Sequence, residues 1–471
     1  MPDDTDQQPA PTVFILYGAT GDLAKRMVLP AFAQLRQHGL LPEQWRLVGN
    51  GRGDISHEEF RGRVRQALAE FGPTLSDEEW GDLEPNLLFA GGGFTADDPG
   101  SMLDVLAEAE DALGATPQRV HYVALPPTTF RAYTEAIGRH GLAERARVVY
   151  EKPYGTSPED FRTLDRAVHE VFDESAVFRI DHFLGKEATQ DLHVLRFGNT
   201  VLGDGWDARH VESVQIDVPE TLDVADRAEF YDATGATLDM LVTHLFQVAA
   251  EVAMEPPVDL SAESLQTARE AVISAFRPLD PADVVLGQYD GFRDLPEVAD
   301  DSTTDTFVAA RMWVDTDRWH GVPFLLRTGK CLRRSEQRVS LVFRRPEGPL
   351  RHVPVGGSVL GLSMTGDGQI SLDLVVKEPG PTEELTSGRA LLPLATVRGA
   401  DPLPPYVRLL HDVLLGDRSL FTRPDGLAAA WEVLQPLLDA PPAVLAYPVG
   451  SDGPAAASAL AGPSGWVLDR E

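Results

Sequence analysis

The sequence predicts an α/β protein with an N-terminal doubly wound (Rossmann-like) parallel sheet and a larger C-terminal α+β domain with a mostly antiparallel sheet. The chain has 471 residues, which exceeds the size at which a single hydrophobic core keeps growing. Short apolar runs alternate with helical stretches through roughly the first 175 residues, and longer, partly alternating runs follow. We therefore expect a flexible tail over residues 1–11, a first domain over 12–180 and a second domain over 181–471.

The first domain begins with a predicted strand, a tight turn and a helix. Residues 12–17 form a short apolar run, Gly18-Ala-Thr-Gly21 follows, and an apolar-periodic stretch continues to Leu35 and stops at Gly39. A glycine just beyond the last periodic residue is a common helix stop. Further apolar runs predict the other strands of a parallel sheet, at residues 45–49, 119–125 and 147–150.

The second domain has a different pattern. Longer runs with partial alternation predict strands of an antiparallel sheet at residues 212–218, 306–314, 338–344 and 369–376. Helical periodicity is found at 238–252 and 405–415. Pro- and Gly-rich stretches near 345–360 and 378–405 predict connectors.

Charge and cysteine content exclude several classes of protein. The chain carries 41 basic and 73 acidic residues, a net charge of −32, which argues against nucleic acid or an anionic membrane as a partner. A single cysteine, Cys331, excludes an internal disulfide framework or a thiolate metal cluster and suits a reducing cytoplasm. We predict a cytoplasmic protein without a bound metal, and we expect Cys331 to be a buried, unreactive thiol.

The turn after the first strand is a candidate phosphate-binding loop. Its residues are Gly18, Ala19, Thr20, Gly21, Asp22 and Leu23. Small residues at this place let the backbone approach a pyrophosphate, and the following helix supplies amide groups and a positive dipole end. The position between a strand and a helix favours a dinucleotide over a purely structural turn.

The end of the second predicted strand bears on the choice of cofactor. A site for NAD usually has an acidic residue there, whereas this strand ends in Gly49-Asn50-Gly51-Arg52. Arg52 favours NADP, because a guanidinium suits a 2′-phosphate. The alternative is that Arg52 is a solvated cation and that Asp54 holds the ribose of NAD.

The segment Arg179 to Glu187 places an acid, an imidazole and an ammonium close together, as Asp181, His182 and Lys186. Such a set suits an anion held beside a proton-transfer group. A base needs a partner that fixes its tautomer, and neighbouring side chains usually diverge, so Asp181 fits a histidine from elsewhere. His244 is one candidate; the alternative is that it is a buried core residue of an apolar helix.

The chain contains only five lysines, and besides Lys186 two of them are candidate anion ligands. Lys152 follows a predicted parallel strand, where the ligands of doubly wound sheets gather. Lys330 lies in a Gly-containing turn between two strand-like runs. The alternative for each is a solvated surface lysine.

Taken together, these segments resemble the glucose-6-phosphate dehydrogenase family, and the resemblance extends over nearly the whole chain. Its most specific part is the nonapeptide Arg179-Ile-Asp-His-Phe-Leu-Gly-Lys-Glu187, which matches the family signature with one change. The other matching segments are residues 18–25, Arg52, Ala124-Leu-Pro-Pro-Thr128, Glu151-Lys-Pro153, 322–330, 409–422 and 447–451.

The resemblance implies a role for each site residue. His244 is expected to take the proton of the sugar C1 hydroxyl while hydride leaves C1 for the nicotinamide, and Asp181 to orient it. His182 and Lys186 are expected to bind the 6-phosphate. The remaining sugar or phosphate ligands implied are Lys152, Phe183, Glu220, Asp239 and Lys330. The cofactor is expected to contact the turn at 18–23, Arg52, Pro126 and Lys152.

The sequence also departs from the family around the sugar. Phe183 replaces a tyrosine whose hydroxyl reaches the phosphate, and hydrogen bonds to charged groups are worth about 1.5–3 kcal/mol. Thr243 replaces an asparagine, Leu238 an arginine, and Ser335 another arginine, with Arg333 and Arg334 nearby as substitutes. These changes affect the substrate pocket and leave the chemical groups in place.

The resemblance thus implies NADP-dependent oxidation of glucose 6-phosphate to 6-phosphogluconolactone, in the pentose phosphate pathway, by a homodimer or homotetramer. One alternative is a related dehydrogenase for another sugar, unphosphorylated or modified. The other is a non-catalytic homologue that binds the cofactor or helps an assembly to form; against it, Asp181 and His244 are both retained.

Overall fold

The computed structural model describes residues 9–114, 116–224, 227–348 and 357–470. The strands are β1 (Thr12–Tyr17), β2 (Trp45–Asn50), β3 (Leu87–Ala90), β4 (Gln118–Val123), β5 (Ala146–Tyr150), β6 (Val177–Arg179), β7 (Val211–Pro219), β8 (Val284–Tyr289), β9 (Phe307–Met312), β10 (Phe324–Gly329), β11 (Arg338–Phe343), β12 (Val359–Ser363), β13 (Gln369–Lys377), β14 (Leu385–Pro393) and β15 (Val444–Tyr447). The predicted tail at 1–11 falls largely outside the described residues.

The α-helices are α1 (Leu29–Gln37), α2 (His57–Phe71), α3 (Asp77–Leu83), α4 (Met102–Leu113), α5 (Phe130–Arg139), α6 (Pro158–His169), α7 (Glu187–Gly198), α8 (Thr200–Gly203), α9 (Ala228–Ala236), α10 (Phe246–Ala253), α11 (Ala262–Ile273), α12 (Pro405–Leu415), α13 (Pro424–Asp439) and α14 (Ala456–Leu460). Two further segments, Ala24–Val28 and Thr237–Leu245, are π-helical. Within the described residues, no helix combines the length and apolar character needed to cross a membrane.

The chain folds into two compact units. Unit 1 comprises Met1–Gly185, Ser261–Gln266 and Pro404–Pro424. Unit 2 comprises Lys186–Leu260, Thr267–Leu403 and Asp425–Glu471. Two short segments from later in the chain therefore complete the unit that the N-terminal half begins.

Unit 1 contains a six-stranded sheet in the order β3-β2-β1-β4-β5-β6. Every pairing in this sheet is parallel, and β1 is buried along its whole length. Strand order reverses beside β1, since the chain proceeds first towards β3 and then crosses back to β4. This confirms the predicted doubly wound sheet, and in such sheets ligands bind beyond the carboxyl ends of the strands at the reversal.

Unit 2 contains a nine-stranded sheet in the order β14-β13-β12-β11-β7-β10-β9-β8-β15. Only the β7–β10 and β8–β15 pairs are parallel, which confirms the predicted mostly antiparallel sheet. The connector predicted at 378–405 was wrong for Leu385–Pro393, which pairs antiparallel with β13 along its whole length. Most residues of β14 are exposed, so this strand lacks the apolar alternation that a half-buried strand shows.

Candidate active site

The predicted phosphate turn follows β1 at the point where strand order reverses. Gly18 has a φ of +75°, and a Cβ on it would lie 2.4 Å from the Ala124 carbonyl oxygen. Only glycine fits this position, because a side chain would collide with the backbone that follows β4. The Gly21 amide donates to the Gly18 carbonyl at 2.8 Å and closes the turn. A backbone this close to β4, without side chains on its glycines, fits the pyrophosphate of a dinucleotide.

The other predicted cofactor residues also follow strands of the parallel sheet. Arg52 comes just after β2, Pro126 after β4 and Lys152 after β5. All three therefore lie at the same carboxyl edge as the turn. This edge is where the predicted cofactor residues of unit 1 are brought together.

Arg52 and Asp54 are both exposed, but their surroundings differ. The positive charge of Arg52 acts on the Tyr133 phenol, although burial dominates and raises the pKa of Tyr133. The Asp54 carboxylate lies against the 91–93 turn, with its Oδ1 2.9 Å from where a Cβ on Gly91 would stand. Both side chains are therefore accessible at this edge, and the choice between them as the ribose or 2′-phosphate ligand stays a prediction.

Asp181, His182 and Phe183 follow β6 at the same edge of the sheet. Asp181 is buried, and its Oδ1 accepts a hydrogen bond from the Phe183 amide at 2.9 Å. Phe183 is also buried, with 1% of its surface exposed, whereas His182 is half-buried. The His182 ring packs on the Phe183 ring, with 4.9 Å between centroids. Phe183 lacks the tyrosine hydroxyl of the family, but its ring still supports His182, the candidate phosphate ligand.

The His182 imidazole also contacts Tyr406, which is bonded to a buried carboxylate. The Tyr406 ring stacks on the His182 imidazole with 6.3 Å between centroids and an angle of 20°. The Tyr406 hydroxyl donates to Glu151 at 3.3 Å, and Tyr122 donates to the same carboxylate. Burial raises the pKa of Glu151, and the two phenols oppose this shift. Sequence reasoning quoted Glu151 only as part of a motif and missed Tyr406, whose only signal was an aromatic residue at the start of a predicted helix.

In unit 2 the structure brings together Glu220 and Lys330. Each directly follows a strand of the parallel β7–β10 pair, and their side chains form an ion pair with 2.6 Å between Lys330 Nζ and Glu220 Oε2. The Glu220 amide also donates to the Gly329 carbonyl at 2.9 Å. Lys330 is therefore held beside a carboxylate. It is not the solvated surface lysine that the sequence left open as an alternative.

Asp239 and His244 lie in the π-helical segment Thr237–Leu245, and both are buried. π-Helical turns are rare and often occur at functional sites. Thr243 replaces the asparagine that is usual in the family. Its hydroxyl donates to the Asp239 carbonyl at 2.6 Å, so it is bonded within its own helical segment. Leu238, another departure, is half-buried.

Asp305 fixes the start of the segment that carries His244. Its Oδ2 accepts hydrogen bonds from the Thr237 amide and hydroxyl, each at 2.8 Å. Gly235, with φ +67°, permits the approach, since a Cβ there would lie 2.6 Å from Asp305 Oδ1. Burial raises the pKa of Asp305 to about 7. Sequence reasoning missed this cap because Asp305 is distant in the chain from the segment that it caps.

The structure does not group all the predicted substrate residues in one unit. Lys186 begins α7 in unit 2, and its ammonium donates to the Met364 carbonyl at 3.2 Å. Asp181, His182 and Phe183 belong to unit 1, whereas Lys186, Glu220, Asp239, His244 and Lys330 belong to unit 2. The pairing of Asp181 with His244, and the joint phosphate role of His182 and Lys186, stay predictions.

The remaining expectations concern the surroundings of Lys330. Cys331 is buried, and burial raises the pKa of its thiol to about 11, so it is protonated at neutral pH. The Ser335 hydroxyl accepts a hydrogen bond from the Thr221 amide at 2.8 Å. Arg333 pairs with Asp452 at 3.0 Å, so its guanidinium already has a carboxylate partner.

Comparison with known proteins identifies the family. Residues 15–191 match the model described as "Glucose-6-phosphate dehydrogenase, NAD binding domain", and residues 193–467 match "Glucose-6-phosphate dehydrogenase, C-terminal domain". Glucose-6-phosphate 1-dehydrogenase 2 of Mycobacterium tuberculosis is 37% identical over 456 residues, covering 91% of this chain and 88% of that protein. The enzyme of Mycolicibacterium smegmatis is 37% identical over 482 residues, covering 96% of each.

Solved structures agree with the sequence comparison. A glucose-6-phosphate dehydrogenase in complex with its substrate glucose 6-phosphate has a TM-score of 0.91 and 30% identity, covering 98% of this chain and 99% of that one. The crystal structure of glucose-6-phosphate 1-dehydrogenase from Mycobacterium avium has a TM-score of 0.86 and 34% identity, covering 96% and 97%. The resemblance found in the sequence is confirmed, and the chain belongs to the glucose-6-phosphate dehydrogenase family.

Proposed function

We propose that this protein oxidises the C1 hydroxyl of glucose 6-phosphate to 6-phosphogluconolactone with NADP. The observation that carries the proposal is the single carboxyl edge of the unit 1 sheet. The phosphate turn, Arg52 and Lys152 lie there together with Asp181 and His182, each directly after a parallel strand. The predicted cofactor residues and Asp181 and His182 of the family signature therefore share one edge, which supports the proposal.

In this mechanism, His244 takes the proton of the C1 hydroxyl, and Asp181 orients its imidazole and stabilises the imidazolium that forms. The turn at 18–23, Arg52, Pro126 and Lys152 would hold NADP, which would supply the hydride acceptor for C1. Lys330 and Glu220 bind oxygens of the substrate, because their ion pair leaves donors on the ammonium and lone pairs on the carboxylate. Lys152, Asp239, His182 and Lys186 complete the proposed set, with Phe183 supporting His182.

The substrate is tested by steady-state assays with a panel of sugars. We expect NADP reduction, followed by absorbance, to be fastest with glucose 6-phosphate and slow with glucose. The rival, a dehydrogenase for another sugar, is favoured by Phe183, whose buried ring offers no hydroxyl to a phosphate. Turnover of another sugar far above that of glucose 6-phosphate would support the rival. Absence of turnover with the whole panel would support a non-catalytic homologue.

The preference for NADP is tested at Arg52. We expect Arg52→Ala to lower kcat/KM for NADP by roughly 10–100-fold, because a charge-assisted contact to a phosphate is worth about 1.5–3 kcal/mol. The value for NAD should change little. Asp54→Ala is the matched variant. If Asp54→Ala lowers kcat/KM for NAD alone and Arg52→Ala changes neither value, Asp54 binds the ribose instead.

We also propose that the protein forms a homodimer or homotetramer through the exposed face of β13 and β14. Leu374 and Val376 point to one face of β13, and the register places Leu392 of β14 on the same face. The exposed fractions of these side chains are 41%, 40% and 46%. Several exposed apolar side chains on one face of a sheet commonly mark a protein–protein interface.

The oligomer is tested by light scattering coupled to gel filtration. We expect Leu374→Asp to shift the protein towards the monomer, since a charge would be buried at the interface. Ser387→Asp is the control, because Ser387 is exposed and pairs with Val375 on the opposite face. An unchanged mass for Leu374→Asp would mean that the interface does not include this face.

The cytoplasmic location, and the exclusion of nucleic acid and membrane as partners, stay predictions from charge and cysteine content.

A further inference from the structure

Tyr231, on α9 of unit 2, has an unusual hydroxyl. Only 3% of the residue is exposed, yet its hydroxyl has no hydrogen-bond partner among residues 9–114, 116–224, 227–348 and 357–470. Buried phenols normally find a partner, because an unsatisfied donor loses its hydrogen bonds to water. A buried donor without a protein partner is therefore suited to a ligand.

The surroundings of Tyr231 are those of the candidate substrate residues. The Lys330 ammonium lies 5.8 Å from the centroid of the Tyr231 ring, and the same ammonium is paired with Glu220. An ammonium at this distance from the face of a phenol is attracted by its quadrupole. The ring thus helps to hold the cation that we propose binds the substrate.

Burial and nearby negative charges keep the Tyr231 hydroxyl protonated. Burial raises the pKa of Tyr231 well above its ordinary value, and the negative charges of Asp239, Asp305 and Glu220 raise it further. The phenol is therefore neutral at any physiological pH and keeps a proton to donate. Two of these three carboxylates, Asp239 and Glu220, are themselves candidate sugar ligands, and the third caps the helix that carries His244.

We propose that Tyr231 is a further substrate-binding residue, whose hydroxyl donates a hydrogen bond to a hydroxyl oxygen of the bound sugar while its ring positions Lys330. The ligand class is a polyhydroxylated sugar, since carboxylates and a neutral phenol on adjacent elements match hydroxyl groups that both donate and accept. This inference rests on the proposed function. It adds a determinant of sugar specificity that lies outside the signature nonapeptide.

The test compares Tyr231→Phe with the wild-type enzyme on the best sugar phosphate and on its 2-deoxy, 3-deoxy and 4-deoxy analogues. We expect kcat/KM for the parent sugar to fall about tenfold, as when a buried polar group loses its partner. For one analogue, the one that lacks the partner hydroxyl, wild type and variant should be equally active. Tyr231→Leu, which also removes the ring from Lys330, should raise KM further.

Tyr150→Phe is the matched control, because the Tyr150 hydroxyl is buried and bonded within unit 1 to Thr134. We expect it to lower Tm without changing the ratios between analogues. The proposal is overturned if Tyr231→Phe loses the same factor on every analogue, or if it changes only Tm. If the wild-type enzyme oxidises none of the sugar phosphates, the proposed function fails first, and the two failures are thereby distinguished.

Discussion

The variant His244→Asn is expected to lower kcat by about 10²–10⁴, the usual contribution of a general base. In the proposed mechanism, the variant has no group to take the proton of the C1 hydroxyl as hydride leaves, so the transition state loses stabilisation. Asparagine keeps the size and polarity of the side chain and cannot accept this proton at neutral pH. Binding of glucose 6-phosphate should be largely retained, because the proposed phosphate ligands are elsewhere.

The measurement is kcat by steady-state assay together with Kd for glucose 6-phosphate by calorimetry. His210→Asn is the control, since His210 is exposed and paired with Asp207 at 2.9 Å. It should keep full activity. His244 is fully buried, so Tm must also be compared, and a loss of activity explained by unfolding would not count. Normal turnover by folded His244→Asn would refute the mechanism.

The second large effect is expected on stability, from Arg327→Met. The Arg327 guanidinium donates to both oxygens of Asp217, at 2.8 and 2.6 Å, and to Asp469 at 2.8 Å. It also lies over the Trp466 ring, 4.4 Å from the centroid. Arg327 and Asp217 are buried, so removing the arginine leaves a buried carboxylate without its counter-charge. Breaking such a pair costs about 3–5 kcal/mol.

Denaturant unfolding measures this loss, and Arg277→Met provides the comparison. Arg277 pairs with Asp315 at 2.5 Å, but both side chains are half exposed, so we expect a loss of at most about 1 kcal/mol. Adding Asp217→Leu to Arg327→Met should recover most of the stability, because the unpaired charge is removed. No recovery in the double variant would mean that the arginine acts through packing alone.

The pH dependence of Arg327→Met has a definite sign. Burial already raises the pKa of Asp217 in the folded protein, and Arg327 opposes that shift. Without the arginine the folded pKa rises further above the unfolded value. At this carboxyl the folded state then binds more protons than the unfolded state, so its contribution to stability is present below the unfolded pKa and is lost as pH rises through the folded pKa.

Local patterns predicted the parts of the fold that depend on neighbouring residues. The strand at 12–17 and the helix at 405–415 have the predicted bounds, because apolar periodicity and proline positions act within a few residues. The turn at Gly18 was predicted from its glycines and its place between a strand and a helix, and the structure shows that its backbone and close neighbours require glycine. The strand β14 was missed because its pairing with β13, rather than burial, stabilises it.

The candidate site shows the same limit. Lys330 was named from the scarcity of lysine and Glu220 through the resemblance, but their ion pair depends on the parallel pairing of β7 and β10, which are distant in the chain. The cap provided by Asp305 and the support of His182 by Tyr406 are likewise long-range contacts. The hydrophobic period or residue spacing of one segment cannot predict these contacts, because they form only between elements that the fold brings side by side.

The division of unit 1 into separate segments has a consequence for synthesis on the ribosome. Residues 404–424 supply contacts that its N-terminal part lacks: Arg147 donates to the carbonyl oxygens of Val413 and Leu414 at the end of α12, each at 2.7 Å, and Tyr406 supports Glu151. A nascent chain that ends at residue 185 therefore lacks the carbonyl partners of the half-buried Arg147 and one of the two phenols that donate to Glu151. Unit 1 is completed only when about nine-tenths of the protein has been translated, so much of unit 2 emerges before unit 1 can close.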